Sequence, residues 1–536
     1  MNERQKPGKI VFAILFGILF LIGIAILSLA VWYNVNFSVS FKELIYTLLS
    51  PLKGTGKGTV MQIVGAALLY LIVGGALYAL LCIPLFARGP AGRFFRDVKT
   101  RRKNRFQYLV EREDWEKNDE RRRIQYSRQR VWRRIGGTAI LLLLVFSLVF
   151  SVFVLGIPEY VALLKQKTTI YEDHYVSPDD VKIEANGKTR NIIWLYVESM
   201  ETAAASTTEG GLKLGNLIPN LTELARENVF FSDQTDGKLG GFYSPIGTGW
   251  TIAALLAALL ASTSGVPFSF ELGEDGNNDM IYHKKFASGL STLGDILEEK
   301  GYRQEFLCGS DVRFAGRDLY YTQHGNFTIY DLNTARQSGA VAPDYDDGWW
   351  GFEDYILYDV AKSEILKLAA SGEPFNFTFL TVDTHHTNGH LCPYCEPGNA
   401  PRVERVISCA DRQAADFVKW CSEQDFFEDT LIVVTGDHPR MDTALADPEK
   451  ARQPSVYNCF VNAAATPTRS TEGRIVTPFD LFPTVLSAMG FTIEGDRLGL
   501  GVNLFSDLPT LSEEYGYDWL ETEIRKFSSY YLLHFS

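Results

Sequence analysis

Asn191-Ile-Ile-Trp-Leu-Tyr-Val197 is a seven-residue apolar run, rich in β-branched and aromatic side chains, that ends on Glu198-Ser199. A half-exposed strand alternates apolar and polar residues, whereas a strand buried on both faces reads as a continuous apolar run. Runs of the same kind recur at Gln304–Leu307, Phe375–Val382 and Leu431–Thr435. Between them lie segments with helical apolar spacing: Ile252–Leu260, Leu293–Leu297, Ile365–Leu368 and Ala410–Trp420. Strands alternating with helices predict an α/β fold with a central, mostly parallel sheet covered by helices. One large domain is expected over 190–510, preceded by a polar, acidic linker at 161–189. The tail, 511–536, alternates acidic and aromatic residues and reads as a helix lying back on the domain. No internal repeat or low-complexity tract interrupts this pattern.

The N-terminal part is of another kind. Ile10–Tyr33, Thr59–Ala87 and Ile135–Pro158 carry no charge, and each supplies the ~20 apolar residues needed to cross a bilayer. This excludes a simple soluble cytosolic protein and predicts a three-helix membrane anchor over 1–160. Residues 87–136 hold about 17 Lys/Arg against about 7 Asp/Glu, so this loop is expected on the cytoplasmic side. With the whole chain at −12, the part beyond the third run carries roughly −26 and is expected outside the cytoplasmic membrane. The arginines of the loop are interspersed with acidic and aromatic residues, so they read as a topology signal and anionic-lipid contact, not as a nucleic-acid site.

Seven cysteines are present, six of them after the third run: Cys308, Cys392, Cys395, Cys409, Cys421 and Cys459. An exported location permits disulfides, and six thiols allow 15 pairings. Cys392-Pro-Tyr-Cys395 resembles half a zinc knuckle, but no second Cys-x-x-Cys follows. A structural disulfide staple is the favoured expectation and a zinc site the alternative.

In a doubly wound sheet, ligands bind beyond the carboxyl ends of the strands. The residues there are Glu198-Ser199, Asp383-Thr384-His385-His386 and Asp437-His438. Glu, Asp and His together make a mixed O/N ligand set suited to Mn²⁺, Mg²⁺ or Zn²⁺. Taken singly, each is also an ordinary turn former or helix cap. Gly247-Thr-Gly-Trp-Thr251 leads directly into Ile252–Leu260. Glycines before a strong helix let the backbone approach an anion at the helix N-terminus, where a hydroxyl would face a phosphoryl group. Thr251 could equally serve as a plain cap.

With these residues in order, the chain resembles the membrane-anchored, sulfatase-type transferases of the alkaline phosphatase superfamily. It is most similar to the phosphoglycerol transferases that modify osmoregulated periplasmic glucans, and next to the lipoteichoic acid synthases. The stretches that carry the likeness are Gly249-Trp-Thr-Ile-Ala253, Leu293-Gly-Asp-Ile-Leu297, Val312-Arg-Phe-Ala-Gly-Arg-Asp318, Leu380-Thr-Val-Asp-Thr-His-His386 and Leu498-Gly-Leu-Gly501. The resemblance implies one divalent metal, Mn²⁺ first with Mg²⁺ or Zn²⁺ as alternatives, held by Glu198, Thr251, Asp437 and His438. It implies Thr251 as nucleophile, Arg317 and His385 against the phosphate and glycerol of the donor, and His385 or His386 as general acid. The donor implied is phosphatidylglycerol, the acceptor an extracytoplasmic glycan, and the intermediate a phosphothreonine-type ester formed as diacylglycerol leaves.

Ala315 departs from the lipoteichoic acid synthases, which carry a tryptophan there, and this favours the glucan branch. The Cys/Ser-x-Pro-x-Arg motif of true sulfatases is absent around Thr251, so sulfate ester hydrolysis is not expected. Competing readings are a phosphoethanolamine transferase, a teichoic-acid polymerase, a hydrolase releasing glycerol phosphate, and an inactive membrane-anchored binding protein.

Overall fold

The computed structural model describes residues 6–36, 57–86, 135, 137–260, 286–346, 348–386, 388–441, 445 and 454–535. The chain divides into two compact units, one of Met1–Asn36 and Met61–Pro158, the other of Phe37–Val60 and Glu159–Ser536.

The second unit is built on a six-stranded sheet: β1 (Asn191–Val197), β2 (Arg303–Cys308), β3 (Thr328–Tyr330), β4 (Phe375–Leu380), β5 (Thr430–Gly436) and β6 (Asn458–Val461). The strand order is β3-β2-β4-β1-β5-β6. β1 is central and pairs in parallel with both β4 and β5. β2 pairs in parallel with β3 and β4, while β6 runs antiparallel to β5. The sheet is therefore mixed. Parallel character holds for five strands, and the reversed sixth closes one edge. β3 and β6 were not read from sequence: β3 is only three residues long, and β6 is four residues long and begins on a buried asparagine, Asn458.

The continuous apolar runs are explained by cover on both faces. Ile192, Trp194 and Tyr196 point into one core, packed under the helices Thr251–Leu260, Leu293–Glu299, Arg317–Gln323 and Leu481–Ala488. Ile193, Leu195 and Val197 point into the other, under Pro219–Glu227, Leu332–Ser338, Asp354–Ala370 and Arg402–Ser422. The first helix of this list, Thr251–Leu260, is apolar nearly all round because it is buried nearly all round.

Two segments differ from the sequence reading. The stretch read as a linker is partly folded into the domain: Ile170 and Tyr171 are buried, and Ile183–Ala185 pairs antiparallel with Phe491–Ile493. The tail forms three short helices, Leu511–Tyr515, Tyr517–Arg525 and Ser529–His534, which bury Leu511, Leu520, Ile524, Tyr531 and Phe535. The expected disulfide staple is not formed, since all six described cysteines are free thiols.

In the first unit, Ile14–Trp32 and Gly137–Val154 are helical, long and apolar enough to cross a membrane. The second apolar run lies in the helix Lys57–Phe86, whose apolar stretch among described residues is the shorter Ala67–Tyr78. Large apolar side chains such as Ile14, Ile18, Leu142 and Phe153 face outward. The basic loop of 87–136 lies, except for Ile135, outside the described residues.

Candidate active site

The register of β1 against β5 builds the site. Val197 is level with Gly436, so the residues that follow, Glu198 and Asp437, emerge side by side at the carboxyl edge of the sheet. Gly436 is required there, because a Cβ would stand 2.2 Å from the Met200 carbonyl oxygen. Ser199 adopts a left-handed conformation (φ 51°), which turns the chain sharply after Glu198.

Glu198, Asp437 and His438 are all buried, and one ligand atom of each lies within 4.8 Å of the others. His438 Nε2 is 3.3 Å from Asp437 Oδ2 and 3.6 Å from Glu198 Oε1. Thr251 Oγ1, at the start of its helix, is 3.4 Å from both Glu198 Oε2 and His438 Nε2. The four residues expected at one centre therefore meet at one centre.

The second layer of contacts sets which atoms remain available. Asp437 Oδ1 accepts the amides of Ser199 (2.8 Å) and His438 (2.9 Å). Its other oxygen, Oδ2, is buried with no hydrogen-bond partner. His438 Nδ1 donates to the Pro439 carbonyl (2.7 Å), which leaves the Nε2 lone pair facing the carboxylates. The Ser199 hydroxyl donates to Glu198 Oε1 at 2.6 Å, and the Glu198 amide donates to Thr381 Oγ1 at 3.0 Å. Burial first, and then the neighbouring Glu198, push Asp437 up to about 7, with His438 opposing.

These features fit a divalent cation. Ligands at about 2.1 Å on a tetrahedral ion stand about 3.4 Å apart, which matches the separations of 3.3 to 3.6 Å here. An orphaned carboxylate oxygen and a neutral imidazole lone pair are what such an ion would use. Glu198, Asp437 and His438 could hold it, with the Thr251 hydroxyl beside it.

His385 is half-buried and lies within the electrostatic reach of His438 and Asp437. Burial pushes it down to about 4. Its Nδ1 donates to the His386 carbonyl at 2.7 Å, so the neutral ring presents Nε2 as an acceptor. In this state the His385 ring has no proton on Nε2 to give, whereas a general acid, the role expected of His385 or His386, needs one on the atom that faces the substrate. His386 is buried next to it, with ring centroids 5.0 Å apart. Arg317 lies beyond the end of β2, its guanidinium donating to Ser310 Oγ (2.7 Å), the Asp311 carbonyl (3.1 Å) and the Phe314 carbonyl (3.1 Å). Among the described residues, these hydrogen bonds join Arg317 to its own loop and not to the Thr251 centre. An aromatic path does connect it to His385: Arg317 over Phe314, Phe314 against Trp350, and Trp350 against His385 at 4.4 Å.

Sequence reading missed two residues here. Trp350 packs on His385 and keeps a buried Nε1–H with no partner. Arg440, two residues after His438, is buried, donates to the Thr384 carbonyl at 2.8 Å and acts electrostatically on His385. Its position just past a strand-end Asp-His was the available signal. Trp350 offered none, since it reaches the site only through the fold.

A family model described as Sulfatase matches residues 190–491, which takes in every residue of this centre. The chain belongs to the sulfatase family. It is 33% identical over 267 residues to Phosphoglycerol transferase I of Xanthomonas campestris pv. campestris (strain B100), covering 48% of this chain and 35% of that protein. It is 29% identical over 333 residues to Phosphoglycerol transferase I of Salmonella choleraesuis (strain SC-B67), covering 61% and 40%. The chain thus spans less than half the length of these curated relatives. Among solved structures it is similar to the lipoteichoic acid synthase LtaP from Listeria monocytogenes, with TM-score 0.46 and 16% identity over 61% of this chain and 79% of that one.

Proposed function

We propose that this protein is a membrane-anchored transferase that moves phosphoglycerol from phosphatidylglycerol to an extracytoplasmic glycan through a phosphothreonine-type intermediate on Thr251. The observation that carries this reading is the position of Thr251 Oγ1, 3.4 Å from both Glu198 and His438 at a buried O/N cluster. The naming of two sets of relatives as Phosphoglycerol transferase I supports the choice of phosphoglycerol as the group transferred.

A divalent cation at Glu198, Asp437 and His438 would lower the pKa of the Thr251 hydroxyl and offset charge on the phosphoryl oxygens. In the first step the Oγ–P bond forms, the P–O bond to diacylglycerol breaks, and the hydroxyl proton departs toward the Glu198 carboxylate side or solvent. Diacylglycerol leaves with a proton drawn from water. In the second step an acceptor hydroxyl attacks phosphorus, its proton is lost, and Thr251 recovers its own. Thr251 is a weak nucleophile at its free pKa, so this activation is a requirement of the reading. His385 Nε2, an acceptor, suits a glycerol hydroxyl, and Arg317 suits the phosphate through its planar fork.

The anchor has a physical purpose in this reading, since a diacyl donor does not leave the bilayer. We take three spans, with the basic loop of 87–136 cytoplasmic and the domain outside. The charge of roughly −26 beyond the third span repels polyanions at long range, which favours a neutral glycan over a growing teichoic chain.

The test is intact-protein mass spectrometry after incubation with Mn²⁺ and phosphatidylglycerol. A glycerophosphate adduct mapped to Thr251, absent with phosphatidylethanolamine, is expected. Diacylglycerol release at full rate by Thr251→Ala would remove the covalent mechanism.

A further inference from the structure

Three cysteines away from the Thr251 centre converge on one point. Cys392 and Cys395 lie in Leu391-Cys-Pro-Tyr-Cys395, just after the loop bearing His385, and Cys409 lies in the helix Arg402–Ser422. Cys392 Sγ is 3.8 Å from Cys395 Sγ and 3.7 Å from Cys409 Sγ, and all three sulfurs lie within 4.8 Å of one another. Two thiolates on a tetrahedral ion at about 2.3 Å stand about 3.8 Å apart. A disulfide would need about 2.05 Å and would leave the third thiol unpaired.

Plain sulfur packing could also bring thiols this close, so the surroundings decide. The Gln413 amide nitrogen is 3.4 Å from Cys409 Sγ and 4.0 Å from Cys392 Sγ. Such a donor favours the thiolate form. The Cys395 amide also donates to the Cys392 carbonyl at 3.0 Å, closing a tight turn. Arg412 donates to the Tyr394 carbonyl (3.1 Å) and Arg405 to the Glu396 carbonyl (2.9 Å), fastening that turn to the helix that carries Cys409. The three sulfurs are thus held together by groups other than themselves.

We propose that Cys392, Cys395 and Cys409 form a second metal site, structural in role, for a soft divalent cation of which Zn²⁺ is the best match, with a solvent molecule as fourth ligand. Binding replaces three thiol protons with the ion and releases them to solvent. Thiolate ligands select against Mn²⁺ and Mg²⁺, so the two sites of the chain differ in the ion they take. The location gives the ion a task. Asp354 accepts the amides of Val382 and Asp383 at one end of the His385 loop, and the His390 amide donates to the Asp383 carbonyl within it. The cysteine site begins two residues after His390 and secures the other end.

The experiment uses reduced, metal-stripped, full-length protein in detergent, titrated with Co²⁺. A thiolate-to-cobalt charge-transfer absorption that saturates at one equivalent is expected. It should be bleached by Zn²⁺, unaffected by Glu198→Gln and lost in Cys409→Ser. The O/N centre has no sulfur and cannot produce that band. A second measurement uses the protein as purified: a thiol-binding mercurial should release one equivalent of zinc. Absence of the band in wild type, its persistence in Cys409→Ser, or a Cys392–Cys395 or Cys392–Cys409 disulfide in zinc-free purified protein would each overturn the proposal. If Cys409→Ser fails to fold, the wild-type titration and zinc release still decide.

Discussion

Asp437→Asn isolates what a cation does at the Thr251 centre, because the two carboxylate oxygens have separate duties. Oδ1 accepts the amides of Ser199 and His438, and an asparagine oxygen keeps both bonds. Oδ2 is the buried oxygen without a hydrogen bond, and only it is lost. In metal-free protein, burial and Glu198 push Asp437 up to about 7 from 3.8. A raised carboxylate pKa works against folding: the unfolded chain ionises first, so stability falls as pH rises from about 4 to about 7 and is level above that. About three units at roughly 1.4 kcal/mol each give a penalty on the order of 4 kcal/mol at pH 8. Asparagine carries no charge to bury. In chelator at pH 8 the variant should therefore melt several degrees above wild type, and the two should converge near pH 4. Mn²⁺ should reverse the ranking, because wild type gains the free energy of binding and the variant gains little. Thermal unfolding of the full-length protein in detergent, followed by tryptophan fluorescence from pH 4 to pH 8, reads both effects. Equal melting temperatures in chelator at pH 8, or equal stabilisation of both proteins by Mn²⁺, would refute the assignment of Asp437 Oδ2 as a cation ligand.

Other consequences follow from single contacts. Thr251→Ala should lower diacylglycerol release by about 10³-fold or more with a melting temperature near wild type, since the side chain is only half-buried. His385 is neutral above about pH 4, so the rate profile between pH 5 and pH 8 should contain no limb that His385→Gln removes. That variant should instead raise KM for phosphatidylglycerol. Trp350→Ala should raise KM in the same direction, because it strips the ring that packs on His385, and an unchanged KM would count against that surface as the donor site. Gly436→Ala forces a Cβ to 2.2 Å from the Met200 carbonyl and should destabilise the domain by about 4 kcal/mol, measured by denaturant unfolding.

Much of the architecture was legible because parallel strands buried on both faces cannot hide. β1 has six of seven residues buried, and β4 and β5 are buried throughout. Their carboxyl ends then pointed to Glu198, Asp437 and His438, and a glycine-rich lead into a strong helix pointed to Thr251. What escaped notice was short, or distant in sequence. β6 is four residues long. The supposed linker conceals Ile170 and Tyr171 among polar neighbours, and their burial depends on the tail helices that pack on them. The ordinary pKa of a histidine was all the sequence offered for His385, and the desolvation that lowers it is not a property of the residue type. The third cysteine of the cluster, Cys409, sits 14 residues beyond Cys395, and only the path of the helix Arg402–Ser422 returns it.

The amino-acid order alone determined the strand and helix alternation, the apolar helices at the start, the acidic balance of the part that follows them and the carboxylate and imidazole side chains at strand ends, because periodicity, charge and residue chemistry are local properties. The tertiary structure alone decided that Thr251 lies 3.4 Å from Glu198, 53 positions away in the chain, that Asp437 keeps one oxygen without a hydrogen bond, that His385 Nε2 is an acceptor, and that three thiols share one point. Each of these depends on register between strands and on burial, and both arise only when segments remote in sequence exclude water from one another.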